Sequence, residues 1–63
     1  MEEKWYEGID VHLRRLEEGK TPSRTILWIV DRISWCWKWR KITKEQMEEL
    51  AERVVRYNRG EMR

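Results

Sequence analysis

PSRTILWIVDRISWCWKWRKITKEQM, residues 22–47, is the stretch on which the fold turns. At about 100° per residue, Ile26, Ile29, Val30, Ile33, Cys36 and Trp37 share an arc of about 120°. That spacing predicts a helix over about 22–40 with the arc toward a core. Thr21 reads as its N-cap and Pro22 as its first residue, where a missing N–H costs nothing. The same helix carries a second apolar stripe. Trp28, Trp35 and Trp39, spaced seven and four, lie about 140° from the centre of the first arc, with Arg32 one turn from both Trp28 and Trp35. Near Lys41 the helix breaks, and Ile42 to Met47 supply a complete new start. Thr43 is the N-cap, Gln46 completes a capping box, and Ile42 with Met47 forms a hydrophobic staple.

Working outward, Trp5, Ile9, Leu13 and Leu16 recur at spacings of four, four and three, with Tyr6 and His12 on the borders of the stripe. They predict a helix over about 2–18, started by Glu2 and Glu3 at its positive end and stopped by Gly19. After Thr43, Met47, Leu50, Ala51, Val54 and Tyr57 point one way and Glu45, Glu48, Glu49, Glu52 and Arg56 the other, a helix over about 44–58 ended by Gly60. Connections of about three residues make neighbouring helices pack on each other. The expected fold is all-α: one compact three-helix domain over residues 1–63, followed by a short frayed tail. There is no predicted strand, internal repeat or low-complexity linker.

Composition narrows the function. The chain has 63 residues, 41% charged and 40% apolar, with five Trp, no Phe, one Pro and one Cys. So short a chain holds one small core and must bury most of its apolar side chains to fold at all. It is too short for a multidomain enzyme and lacks the cysteines of a disulfide-stapled miniprotein. No apolar run reaches the ~20 residues of a membrane span, and the N-terminus has no secretory pattern. These features read as a cytoplasmic protein with no membrane association. Net charge is only +2, but its distribution is uneven. Residues 1–19 hold three basic and six acidic side chains, residues 20–44 seven and one, and residues 45–63 four and five. Four of the five Trp fall in the basic middle.

The inventory for catalysis is thin. A zinc site needs three or four ligands, and His12 and Cys36 offer two at most. Cys36, central on an apolar arc, reads as a buried inert thiol, and His12 as an interface-edge histidine. Gly8, Gly19 and Gly60 form no phosphate-binding loop. The acids of the third helix read as a solvated face, with Glu49 to Arg53 and Glu52 to Arg56 as local pairs. No catalytic residue, cofactor or metal is therefore expected. Asp31, the only acid in the basic centre, is expected to pair an arginine of a neighbouring helix or protomer, such as Arg14 or Arg53.

What remains is binding. Lys38, Arg40, Lys41 and Lys44 form an acid-free run interleaved with Trp37 and Trp39, a pattern compatible with nucleic acid. A major-groove reader is disfavoured, because the third helix would offer Glu45, Glu48 and Glu49 to the phosphates. Left in water, Trp28, Trp35 and Trp39 would make a patch of several hundred Å², at or above the largest on ordinary monomers. Either the rings lean back on neighbouring helices, or a second copy covers them, or a foreign partner does. Self-association through helix 2 is the leading expectation, as a dimer or higher oligomer with Arg32 clamped between Trp28 and Trp35. The sequence thus favours a small non-enzymatic interaction protein, of the adaptor or inhibitor type found among free-standing proteins including those of phages and mobile elements. It would self-associate and dock on a protein partner through a basic, Trp-rich surface of Trp28, Asp31, Arg32, Trp35, Lys38, Trp39, Arg40 and Lys41. The alternative is binding of nucleic acid or a nucleotide by the same surface.

Overall fold

Three helices, α1 (Lys4–Glu17), α2 (Thr25–Lys38) and α3 (Lys44–Arg59), form the structure, a computed structural model that describes residues 4–60. No strand occurs among the described residues. The expected start of the first helix at Glu2 and Glu3, and the tail beyond Gly60, lie outside the described residues. Each helix packs on the other two, and the Cα radius of gyration, 11.0 Å, is close to the ~10.6 Å of a compact domain of this length.

The core is built from matching registers. Ile9, Leu13 and Leu16 of α1 and Ile29, Ile33 and Cys36 of α2 are buried, each set at spacings of four and three. Leu50 and Val54 of α3 and Ile42 from the connecting turn complete it, with Trp5, Tyr6, Ile26, Met47 and Tyr57 packed around the edge. The start of α3 forms as its sequence requires. The Thr43 hydroxyl accepts the Gln46 N–H at 3.0 Å, and the Gln46 side chain accepts the Thr43 N–H at 3.0 Å. Ile42, one half of the staple, is fully buried.

Two expectations for α2 are corrected. The helix begins at Thr25, after a turn in which Thr25, Ile26 and Leu27 donate to carbonyls three residues back. Arg24 occupies the N-cap without a side-chain bond, while the Thr21 hydroxyl is buried instead of capping. The arc assigned to the core is also narrower than its hydrophobicity. Ile29, Ile33 and Cys36 fill the space between α1 and α3, and Val30 and Trp37, on the α3 side of that strip, stay about two-fifths exposed.

The ends of α1 and α2 are closed by the same turn around different residues. After α1, Gly19 at φ 77° donates to the Leu16 carbonyl and Lys20 to the Arg15 carbonyl. After α2, Arg40 at φ 59° donates to Trp37 and Lys41 to Cys36. Both are Schellman caps, which place a left-handed residue just past the helix and favour glycine there. Arg40 therefore carries a backbone cost that Gly19 does not. Arg40→Gly is expected to raise stability by about 0.5–1 kcal/mol, read as a higher urea midpoint at unchanged slope.

Candidate docking surface along the α1–α2 seam

The three seams between helices have three different chemistries, set by which residues flank the buried strip of each helix. On α1, Tyr6, Asp10 and Glu17 fall on the flank toward α3, and Lys4, Gly8 and His12 on the flank toward α2.

The α1–α3 seam is ionic. Arg53 is 18% exposed and forks onto Glu17 through Nε and an Nη at 3.1 and 3.0 Å, while its other Nη donates to Asp10. The bond to Glu17 is the main reason its guanidinium is held above the usual arginine range, despite burial that acts the other way. Arg14 adds a 2.7 Å pair to Asp10. The Tyr6 hydroxyl donates to Glu49 at 2.7 Å, and that bond, aided by burial, pushes the phenol up to about 12. The expected Glu49–Arg53 and Glu52–Arg56 pairs are present at 4.0 and 3.1 Å, the first secondary to the bonds Arg53 makes to α1. The proposed pairing of Asp31 with Arg14 or Arg53 is not made. Those arginines face α3 and α1 and are satisfied by Asp10 and Glu17, whereas Asp31 stands exposed on the opposite side of the bundle.

The α1–α2 seam is aromatic and basic. Trp28 packs its ring 4.8 Å from the His12 imidazole, Trp35 lies 5.5 Å from Trp5, and Trp39 lies 6.3 Å from Trp35. Arg32 sits over two indoles at once, 5.2 Å from Trp28 and 5.6 Å from Trp35. Lys38 covers Trp39 at 5.9 Å, and Lys41 reaches across to Trp5 at 5.5 Å. Of the eight residues singled out from sequence, six gather on this ladder. Arg40 is exposed at the turn that closes it, and Asp31 lies outside the ring contacts. Trp5 and His12, placed in or beside the core by their spacing, are the members that sequence alone missed. Their partners Trp35 and Trp28 lean toward α1, but 38%, 42% and 57% of Trp35, Trp28 and Trp39 stay open to solvent.

Between the helices a shallow cleft of about 280 Å³ opens beside Gly8, walled by Trp5, His12, Trp28 and Arg32. A Cβ at Gly8 would meet nothing within 4 Å. The Cys36 thiol lies beneath the seam, where burial pushes it up against the opposing pull of Arg32 and Lys41. It is held protonated and out of contact with solvent, the reverse of an activated nucleophile. Among the described residues no group of three metal-binding side chains converges, and no helix is long and apolar enough to cross a membrane.

The α2–α3 seam is apolar. Val30, Ser34 and Trp37 of α2 face Met47, Ala51 and Val55 of α3 across an open groove of about 290 Å³. No protein-family model, curated protein or solved structure matches the chain.

Proposed function

We propose that this protein is a small non-enzymatic interaction module of adaptor or inhibitor type that docks on an acidic protein surface through its α1–α2 seam. The observation that carries this reading is the separation of charge. Asp10 and Glu17 are tied to Arg53 on the α1–α3 side, so the seam that holds the exposed tryptophans presents Arg32, Lys38 and Lys41 without a competing carboxylate in its ring contacts. Trp and Arg in a partly desolvated cluster are the residue types that dominate binding energy at protein interfaces. Arg40 fits the same reading, since a cation is kept at a left-handed position where glycine costs less. The lone buried thiol of Cys36 suits the reducing cytoplasm, where we place the protein.

Ring geometry favours a protein over a nucleic acid. Arg32 already occupies a face of both Trp28 and Trp35, and the aromatic neighbours are tilted by 38–46° rather than aligned as a stacking track. A base would have to displace the protein's own cations, whereas carboxylates can approach those cations from outside.

Tryptophan fluorescence and light scattering, with polyglutamate and a single-stranded oligonucleotide of equal charge as probes, test the proposal. Polyglutamate should bind, weaken steeply with salt, and bind about tenfold less tightly to Arg32→Ala. Failure of both probes would remove the docking function. Tight binding of the oligonucleotide alone would replace the acidic protein by nucleic acid.

A further inference from the structure

The groove between α2 and α3 lies on the flank of α2 opposite the tryptophan ladder and has no charged lining. Its lining includes Val30 and Trp37 on one helix and Met47 and Val55 on the other, together with the small side chains of Ser34 and Ala51. Val30, Trp37 and Val55 are 42%, 40% and 44% exposed, and Leu27, on the same flank of α2, is 73% exposed. Together these four side chains expose apolar surface of a few hundred Å², within the range of the largest patch on an ordinary monomer and often a functional one.

We infer that a second copy of this chain covers this groove, α2 against α2 and antiparallel about a two-fold axis near Ser34. The charges at its rim select that occupant. On α2, Asp31 stands three residues before Ser34 and Lys38 four residues after it, and both are exposed. An antiparallel copy keeps this rim on the same side of the contact and brings each Asp31 to the other's Lys38, whereas a parallel two-fold carries the rim to the opposite side and makes no such pair. Asp31 makes no ion pair among the described residues, so the copy supplies the partner that the bundle itself does not. Shape agrees with charge. Trp37 projects at one end of the α2 wall and Val30 at the other, so reversal seats each indole against the partner's Val30 across the small side chain of Ser34. A two-fold contact of this kind is self-complementary and closes after two chains. With α2 only 14 residues long, about 21 Å, the contact is a short one, at the low end in size for specific complexes.

This inference moves the expected self-association from the Trp28, Trp35 and Trp39 stripe to the other side of α2. It shares Lys38 with the docking proposal, since that side chain covers Trp39 in the seam, but Val30 belongs to the groove alone and Arg32 to the seam alone, so substitutions at those two positions separate the readings. Sedimentation equilibrium from about 1 to 500 μM is the test. The mass should rise from 8.0 kDa toward twice that value, and stop there. Val30→Glu changes an exposed position, so it should keep its helical circular dichroism, weaken dimerisation at least tenfold and leave polyglutamate binding intact. Asp31→Lys and Lys38→Asp should each weaken the dimer, and the two together should restore it. A chain that stays at 8.0 kDa, or a dimer indifferent to Val30→Glu, would overturn the proposal. A dimer that both single charge changes weaken but the double change fails to restore would overturn the antiparallel α2 pairing. Arg32→Ala should leave the mass unchanged.

Discussion

Replacing Arg53 by leucine is expected to destabilise the protein by about 2–3 kcal/mol, a fall of roughly 10–20 °C in Tm. The cost comes less from the bonds lost than from what is left behind. Asp10 and Glu17, 15% and 12% exposed, would keep their charge in a partly dry seam without the guanidinium that satisfies both. Arg14 still reaches Asp10, but no other cation contacts Glu17 among the described ion pairs, so Glu17 carries most of the penalty. Lysine should recover under half of the loss, because Arg53 holds both Glu17 oxygens with a planar fork and an ammonium offers one point of contact. Thermal unfolding followed by circular dichroism checks both variants. A change below about 0.5 kcal/mol for Arg53→Leu would mean that the cluster behaves like an ordinary exposed salt bridge.

Leu13→Ala should have the largest effect on stability of any substitution considered, about 3–4 kcal/mol. Leu13 is completely buried at the centre of the α1 stripe, between Ile9 and Leu16, which are themselves almost fully buried. A domain of 63 residues has a total stability of about 3–9 kcal/mol, so the variant loses between a third of its margin and all of it. Three short helices leave few side chains able to move into the space, which keeps the expected cost above the lower end of the range for such truncations. Urea unfolding followed by tryptophan fluorescence measures it, and a loss under about 1.5 kcal/mol would show that the core relaxes around the cavity.

Helix periodicity, the start of α3 and the glycine stops were legible because they are local, while the cap expected at Thr21 gave way to a turn over residues 22–27. The apolar spacing in α1, the Thr43 and Gln46 capping box and the glycine stops at Gly19 and Gly60 depend only on residues within a turn or two. Partners across seams were not. Val30 and Trp37 share an arc with Ile29, Ile33 and Cys36, and nothing in the spacing says that α3 stops short of them. The reverse happened at Trp28 and Trp35, whose long rings reach round to His12 and Trp5 from what looks like a separate stripe. One signal for that contact was present in α1. His12 lies on the α1 flank next to Trp5, and two flat rings on one flank offer surfaces on which indoles from the neighbouring helix can pack, as Trp35 and Trp28 do. The pairing of Asp31 with an arginine of its own chain fails for a related reason. Charge alone nominated Arg14 and Arg53 as partners, but the wheel of α1 already offered Asp10 and Glu17 on the side those arginines face.

The Arg53 cluster has a consequence for the rates of folding as well as for the folded structure. The α1–α2 and α2–α3 contacts join helices separated by short turns, and such local pairings form early. The bonds from Arg53 to Glu17 and Asp10 span 36 and 43 residues and can close only after both turns have brought α1 and α3 together. Arg53→Leu is therefore expected to speed unfolding and leave folding nearly untouched, which the two arms of a urea chevron measure. On that expectation the clamp lengthens the time a chain stays folded, and with it the lifetime over which the tryptophan seam remains assembled.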